Sequence, residues 1–212
     1  MLSDKQKQFF QQIKEDKENN NIESSFIYYV SSVIQKVRPG ALLTIQDKYY
    51  NAYSSMKEQL IEKTGLDIIE MINFNHDVIW LIVDRAHMQE HLQCQQIKDL
   101  LEDNAYTNTE DLQAIFETLT KRFKESNFPH EIGVFLGYPI QDVKGFIQNK
   151  GQDCLHCKFW KVYHDVEYAQ AMFDAIEFSQ LHAMNLLVKF KCPNITLQRL
   201  KTTTRSVKAP AA

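Results

Sequence analysis

LDIIEMINFNHDVIWLIV, the stretch from Leu66 to Val83, decides the fold class. Leu66–Ile72 and Val78–Val83 are rich in β-branched and aromatic residues, the composition that suits a buried pleated surface. NFNHD, Asn73–Asp77, lies between them as a polar turn cluster, so the two runs are predicted to pair as an antiparallel hairpin. ALLTI, Ala41–Ile45, reads as a further short strand, directly after Pro39-Gly40. A helical stretch from about Tyr50 to Lys63 stops at Gly65, where glycine commonly supplies the left-handed terminator.

Helical patterns surround this strand region. Ile27, Val30, Ile34 and Val37 recur at three- and four-residue spacing and end at Pro39, which disfavours helix in the residue before it. From Arg85 to about Lys124 the sequence fits two or three helices. These carry Leu92, Ile97, Leu100 and Leu101, then a cap-like Asn108-Thr109-Glu110-Asp111 ahead of Leu112, Ile115, Phe116 and Leu119. Pro129 opens a helix that Gly137 closes, Pro139 starts another to about Asn149, and FWKVY (Phe159–Tyr163) reads as a strand. Asp165 caps a last long helix whose Tyr168, Met172, Phe173, Ile176, Leu181, Met184 and Leu187 suit packing on a sheet. The expected fold is α+β, a single domain over 22–190 with a small, largely antiparallel sheet packed by several helices. Residues 1–21 are expected to form a loosely attached N-terminal helix, with Phe9, Phe10 and Ile13 at helical spacing. Residues 191–212 are expected to be a basic, flexible tail.

Composition narrows the function. The 212 residues are 44% hydrophobic and 24% charged, which excludes whole-chain disorder and low-complexity assemblies. Six of the 24 basic residues and none of the 27 acidic ones lie from Lys189 onward, which leaves the first 188 residues at −9. An acidic body argues against general DNA binding, which needs clustered Lys and Arg on one face. The longest apolar runs, such as Val78–Val83, are far shorter than the roughly 20 residues of a membrane span, and MLSDKQKQFFQQ lacks a signal-peptide pattern. The four cysteines, Cys94, Cys154, Cys157 and Cys192, are too few and too irregular for a disulfide scaffold. A cytoplasmic location is the expectation, with no membrane partner.

Two segments are dense in chemistry. The first is FPHEIGVFLGYPIQDVKGFIQNKG, Phe128–Gly151; the second is WKVYHD, Trp160–Asp165. Together they resemble the signature of an uncharacterised bacterial family, catalogued as domain of unknown function 3793. VSSVIQKVRPGALLTI (Val30–Ile45) and VIWLIVDRAHMQEHL (Val78–Leu92) extend the resemblance over nearly the whole body. Members of that family often carry a cysteine near the start of the first of these upstream blocks, where this chain has Ser31 and Ser32. The resemblance implies one compact bacterial cytoplasmic domain and brings no established activity with it.

If the signature blocks meet, His130, Glu131, Cys157, Trp160, Lys161 and Tyr163 bring an imidazole, a carboxylate, a thiol, an indole, an ammonium and a phenol to one pocket. Gly137, beside Tyr138, and Gly145 would permit close helix approach or a tight turn. The reading is a site for an unidentified small ligand or cofactor. No catalytic spacing decides between an enzyme and a binding protein, and the cofactor is unknown. The 13 Phe and 9 Tyr could line a flat pocket for a flavin or haem, or serve as core. P-loop, GxGxxG and GxSxG patterns are absent.

Metal binding has thin support. Cys154 and Cys157 form a Cys-x-x-Cys pair without a second pair of ligands, and His87 and His91 share a helix face without a following glutamate at His87. Residues 130–149 also imitate a helix-turn-helix, with Gly133 in the first helix, Gly137 at the turn and Val143 in the second. The would-be recognition helix carries one acid, one base and a glycine, which is poor in phosphate contacts. The alternative function is therefore a non-catalytic interaction module that holds a protein or nucleic-acid partner through this segment or the basic tail.

Overall fold

The computed structural model describes Lys7, Phe9, Gln11 and residues 20–72, 78–125 and 128–203. Its centre is a three-stranded antiparallel sheet in the order β1 (Gly40–Ile45), β3 (Val78–Val83), β2 (Asp67–Ile72). The predicted hairpin is present, with Ile72 opposite Val78 and Asp67 opposite Val83; its NFNHD turn lies outside the described residues. The ALLTI strand pairs with the other edge of β3, Gly40 facing Val83 and Ile45 facing Val78.

β3 is apolar throughout because both faces of the central strand are covered. Ile79, Leu81 and Val83 pack into one core with Met88, Leu101, Phe116 and Phe135. Trp80 and Ile82 alternate into a second core with Phe26, Val30, Leu60 and Leu197. The first core is built by α3 (Arg85–His91), α4 (Gln95–Asp103), α5 (Leu112–Glu125), α6 (Ile132–Phe135) and α7 (Ile140–Gln148). The second is built by α1 (Asn20–Ile34), α2 (Asp47–Thr64), α8 (Val166–Phe190) and α9 (Pro193–Lys201). The chain is thus a single α+β domain, a small antiparallel sheet between two helical layers. α2 closes at Gly65, whose N–H returns to the Ile61 carbonyl, and Asp165 caps α8 by accepting from the Tyr168 N–H at 2.9 Å. Among the described residues no helix is long and apolar enough to cross a membrane.

Some expected boundaries move. The strand predicted over Phe159–Tyr163 is a two-residue ladder, β5 (Lys161–Val162) against β4 (His156–Cys157), because the Tyr163 and His164 N–H groups bond a side chain instead of a strand. The helix predicted from Pro129 to Gly137 is the four-residue α6 alone. Leu181, placed on the packed face of α8, is 39% exposed, and Ala183 takes the inward position. Within the expected flexible tail, Pro193–Lys201 is α9, whose Thr196, Leu197 and Leu200 are buried against α1 and α8. Residues 204–212 lie outside the described residues. Of the expected N-terminal helix, Lys7, Phe9 and Gln11 are helical, and Phe9 packs in a small cluster with Tyr28, Met184 and Leu187; the rest lies outside the described residues.

Candidate functional site

The two signature segments do meet, and Asp142 joins them. Its carboxylate is 2% exposed. Oδ2 accepts from the Trp160 indole N–H at 2.8 Å, and Oδ1 accepts from the Tyr163 and His164 backbone N–H groups at 2.8 and 3.0 Å. Gly145, one turn further along α7, permits the contact, since a Cβ there would lie 2.5 Å from the Tyr163 Cβ. Gly137 joins the upstream block. It sits at φ +74°, and a Cβ would lie 2.5 Å from the Pro39 ring and 3.3 Å from the Arg38 Cβ. Glycine here serves both the left-handed turn after α6 and the close approach of Arg38-Pro39.

The space enclosed is a cavity of about 470 Å³. Its apolar wall includes Leu42, Ile132, Leu136, Val143 and Phe146, with Phe128 and Phe159. Tyr138 and Trp160 stack there at 4.6 Å between ring centroids and 25° between planes, and Phe173 of α8 meets Trp160 edge-on at 4.4 Å. His130, exposed, stands edge-on to Phe146 at 5.1 Å. The polar groups are few: Arg38, His130, Lys158, Lys161, the Cys157 thiol and Asp142. The Lys161 ammonium donates to the Gly151 carbonyl, Lys158 pairs with Glu177 at 2.9 Å, and Arg38 Nε donates to Ser32 Oγ at 2.8 Å. Burial pushes the Arg38 pKa down and the Tyr138 pKa up, and the two groups offset one another in part.

Of the residues expected at the site, His130, Tyr138, Cys157, Trp160 and Lys161 line the cavity, and Gly137 shapes it from outside. Glu131 and Tyr163 do not line it. Glu131 faces the opposite way, 1% exposed, where it accepts from Arg122 Nε and from the Tyr106 hydroxyl at 3.1 Å. Arg122 also reaches Asn104 Oδ1 at 3.2 Å, its own pKa held up by the bond to Glu131, while burial first and Glu131 second raise that of Tyr106. This is a buried structural network that closes α4, α5 and the turn before α6. The Tyr163 hydroxyl is buried without a hydrogen-bond partner among the described residues, and burial raises its pKa.

Sequence reasoning missed Arg38 and the clamping role of Asp142. A usable signal existed for Asp142: Gly145 and Asn149 follow it at three- and seven-residue spacing, so a close-packed glycine shares its helix face. Arg38 was visible only as the residue before Pro39-Gly40, and its convergence with Gly137 is a tertiary fact.

The metal and helix-turn-helix readings can be set against the same structure. The four cysteines are free thiols, with Cys157 exposed and Cys154 half-buried. His91 donates from Nε2 to the Val134 carbonyl at 3.0 Å, and His87 Nδ1 is buried without a partner among the described residues. Among the described residues no three His, Cys, Asp or Glu side chains are grouped to hold a metal ion. In the helix-turn-helix-like segment, Ile140, Asp142, Val143 and Gly145 of the second helix are buried, and the first helix is a single turn.

A larger depression of about 590 Å³ lies between β2 and α5. It includes none of the signature residues, and Arg85 on its wall is already paired with Asp67 at 2.7 Å.

Comparison with known proteins found no matching curated protein. It found no matching solved structure. Residues 26–196 match the model of the family described as "Protein of unknown function (DUF3793)", a span that takes in the sheet, the Asp142 clamp and the whole cavity wall; the chain belongs to this family.

Proposed function

We propose that this protein binds a small molecule in the cavity between α6–α7 and the β4–β5 ribbon. The supporting observation is the 470 Å³ space itself, within the roughly 300–1,000 Å³ of ordinary ligand pockets and lined mostly by apolar and aromatic side chains with a few convergent polar groups. Its walls come from three separate parts of the chain held together by a buried carboxylate and two close glycine contacts. Such an arrangement fixes the shape of the space before any ligand arrives.

The chain has two tryptophans, and their environments make the test direct. Trp80 is fully buried in the core on one face of the sheet, whereas Trp160 lines the cavity. Protein labelled with 5-fluorotryptophan gives one fluorine resonance for each, assigned with Trp160→Phe. In a screen of rigid aromatic fragments, molecules entering the cavity shift the Trp160 resonance and leave that of Trp80 in place. A screen in which no fragment moves Trp160 selectively overturns the reading.

A further inference from the structure

We propose that the molecule held in this cavity is an anion, with a carboxylate or phosphate head seated on Arg38 and a flat apolar body against Tyr138 and Trp160. The inference rests on the small-molecule reading above and adds the chemical class of the ligand.

The argument starts from charge pairing. Four charged residues of fixed sign line the cavity: Arg38, Lys158, Lys161 and Asp142. Asp142 already accepts three N–H groups, and Lys158 faces the Glu177 carboxylate. Arg38 and Lys161 have only neutral partners among the described residues, Ser32 Oγ and the Gly151 carbonyl. Neither cation is in an ion pair, and with Lys158 set against Glu177 the lining holds two positive charges against the single negative charge of Asp142, a net excess in a body whose first 188 residues carry −9. A local excess of cations within an acidic chain is not a by-product of composition.

Arg38 is the stronger of the two. It is half-buried between Ser32, Tyr138 and the Gly137 turn, and its charge is partly withdrawn from water with no carboxylate in ion-pair contact to offset the cost. Its Nε is committed to Ser32, which fixes the plane of the guanidinium; its Nη groups have no hydrogen-bond partner among the described residues. A fork held in this way matches the paired oxygens of a carboxylate or phosphate. Beyond the fork the wall is apolar, with the Tyr138–Trp160 stack and Phe146 offering flat faces. The cationic fork and the flat aromatic wall thus share the lining of one space.

The test uses three probes of one shape, 1-naphthoate, 1-naphthyl phosphate and neutral 1-naphthalenemethanol, titrated against the Trp160 fluorine resonance. At least one anion is expected to bind about tenfold or more tighter than the alcohol, and the tighter anion identifies the head group. Arg38→Met should bring the anions to within about twofold of the alcohol and leave the alcohol unchanged. If Arg38→Met does not fold, Arg38→Lys serves: it keeps the charge but loses the fork, and should weaken the anions several-fold. Equal binding of anions and alcohol by the wild type overturns the inference but leaves a ligand pocket. Anion affinity indifferent to both Arg38 substitutions does the same. Failure of all three probes to move Trp160, in a protein whose resonance does respond to other fragments, also counts against the anionic class. No response to any fragment removes the pocket reading itself.

Discussion

The Asp142 carboxylate and the Trp160 indole N–H, eighteen residues apart in sequence, meet at 2.8 Å in the interior. A carboxylate removed from water needs its lone pairs filled, and Asp142 fills them with one indole and two successive backbone N–H groups. Those backbone groups lie where a longer β5 would have used them in a ladder. One side chain on α7 therefore ends the strand, holds the ribbon and sets the plane of Trp160. Tyr138 stacks on that plane, and the cavity follows from it.

Asp142→Ala should be among the most damaging substitutions outside the two sheet cores. It strands three N–H donors in the interior, at a cost of about 3 kcal/mol or more. Asp142→Asn keeps one acceptor oxygen and should cost roughly half as much. Urea unfolding measures both, and near-ultraviolet circular dichroism reports the lost ordering of Trp160. If the alanine variant unfolds at the wild-type urea concentration, Asp142 does not hold the ribbon.

His130 and Glu131 are neighbours with opposite duties. Glu131→Gln removes the charge that Arg122 faces and disturbs the Tyr106 hydroxyl, so a loss of about 2–4 kcal/mol is expected. Fragment responses at Trp160 should persist in this variant. His130 is exposed, and His130→Ala should stay within about 1 kcal/mol of wild type while altering fragment affinity, because its ring stands against Phe146 on the cavity wall. Comparing the two variants in urea melts and fluorine titrations checks the assignment. Reversed results would place Glu131 at the site and His130 in the framework.

Period-two and helical patterns made the sheet and most helices legible, because burial on one or two faces writes directly into sequence. Val78–Val83 is apolar at every position since β3 is covered on both sides. Gly65 and Asp165 were readable because helix ends obey local rules. The cavity was readable in part: of the residues singled out from the sequence, His130, Tyr138, Trp160 and Lys161 in the signature segments and Cys157 between them line it, yet the sequence alone does not say which way each side chain turns. In the turn before α6, one step of chain separates the exposed His130 from the buried Glu131, and the partners that hold Glu131 inward, Tyr106 and Arg122, come from elsewhere in the chain. Arg38 escaped notice for the same reason, since its neighbour Gly137 is about a hundred residues away.

The two histidines of α3 give the stability a pH dependence. Burial is the main force pushing the pKa of both His87 and His91 below the usual 6.5; Asp84 and Glu90 oppose it at His87, and the bond to the Val134 carbonyl opposes it at His91. The folded protein therefore holds these rings neutral at a pH where the unfolded chain protonates them. Above about pH 7 both states are neutral and the histidines leave stability unaffected. As the pH falls through 6.5 towards the lowered folded values, the unfolded state takes up protons first, and stability declines. The urea midpoint should thus be lower at about pH 5.5 than at about pH 7.5, the range in which ordinary carboxylates contribute little. His91→Gln keeps a donor for the Val134 carbonyl and removes a titrating group, so it should flatten the slope, and adding His87→Gln should flatten it further. A double variant that keeps the wild-type slope would assign the acid sensitivity to other groups.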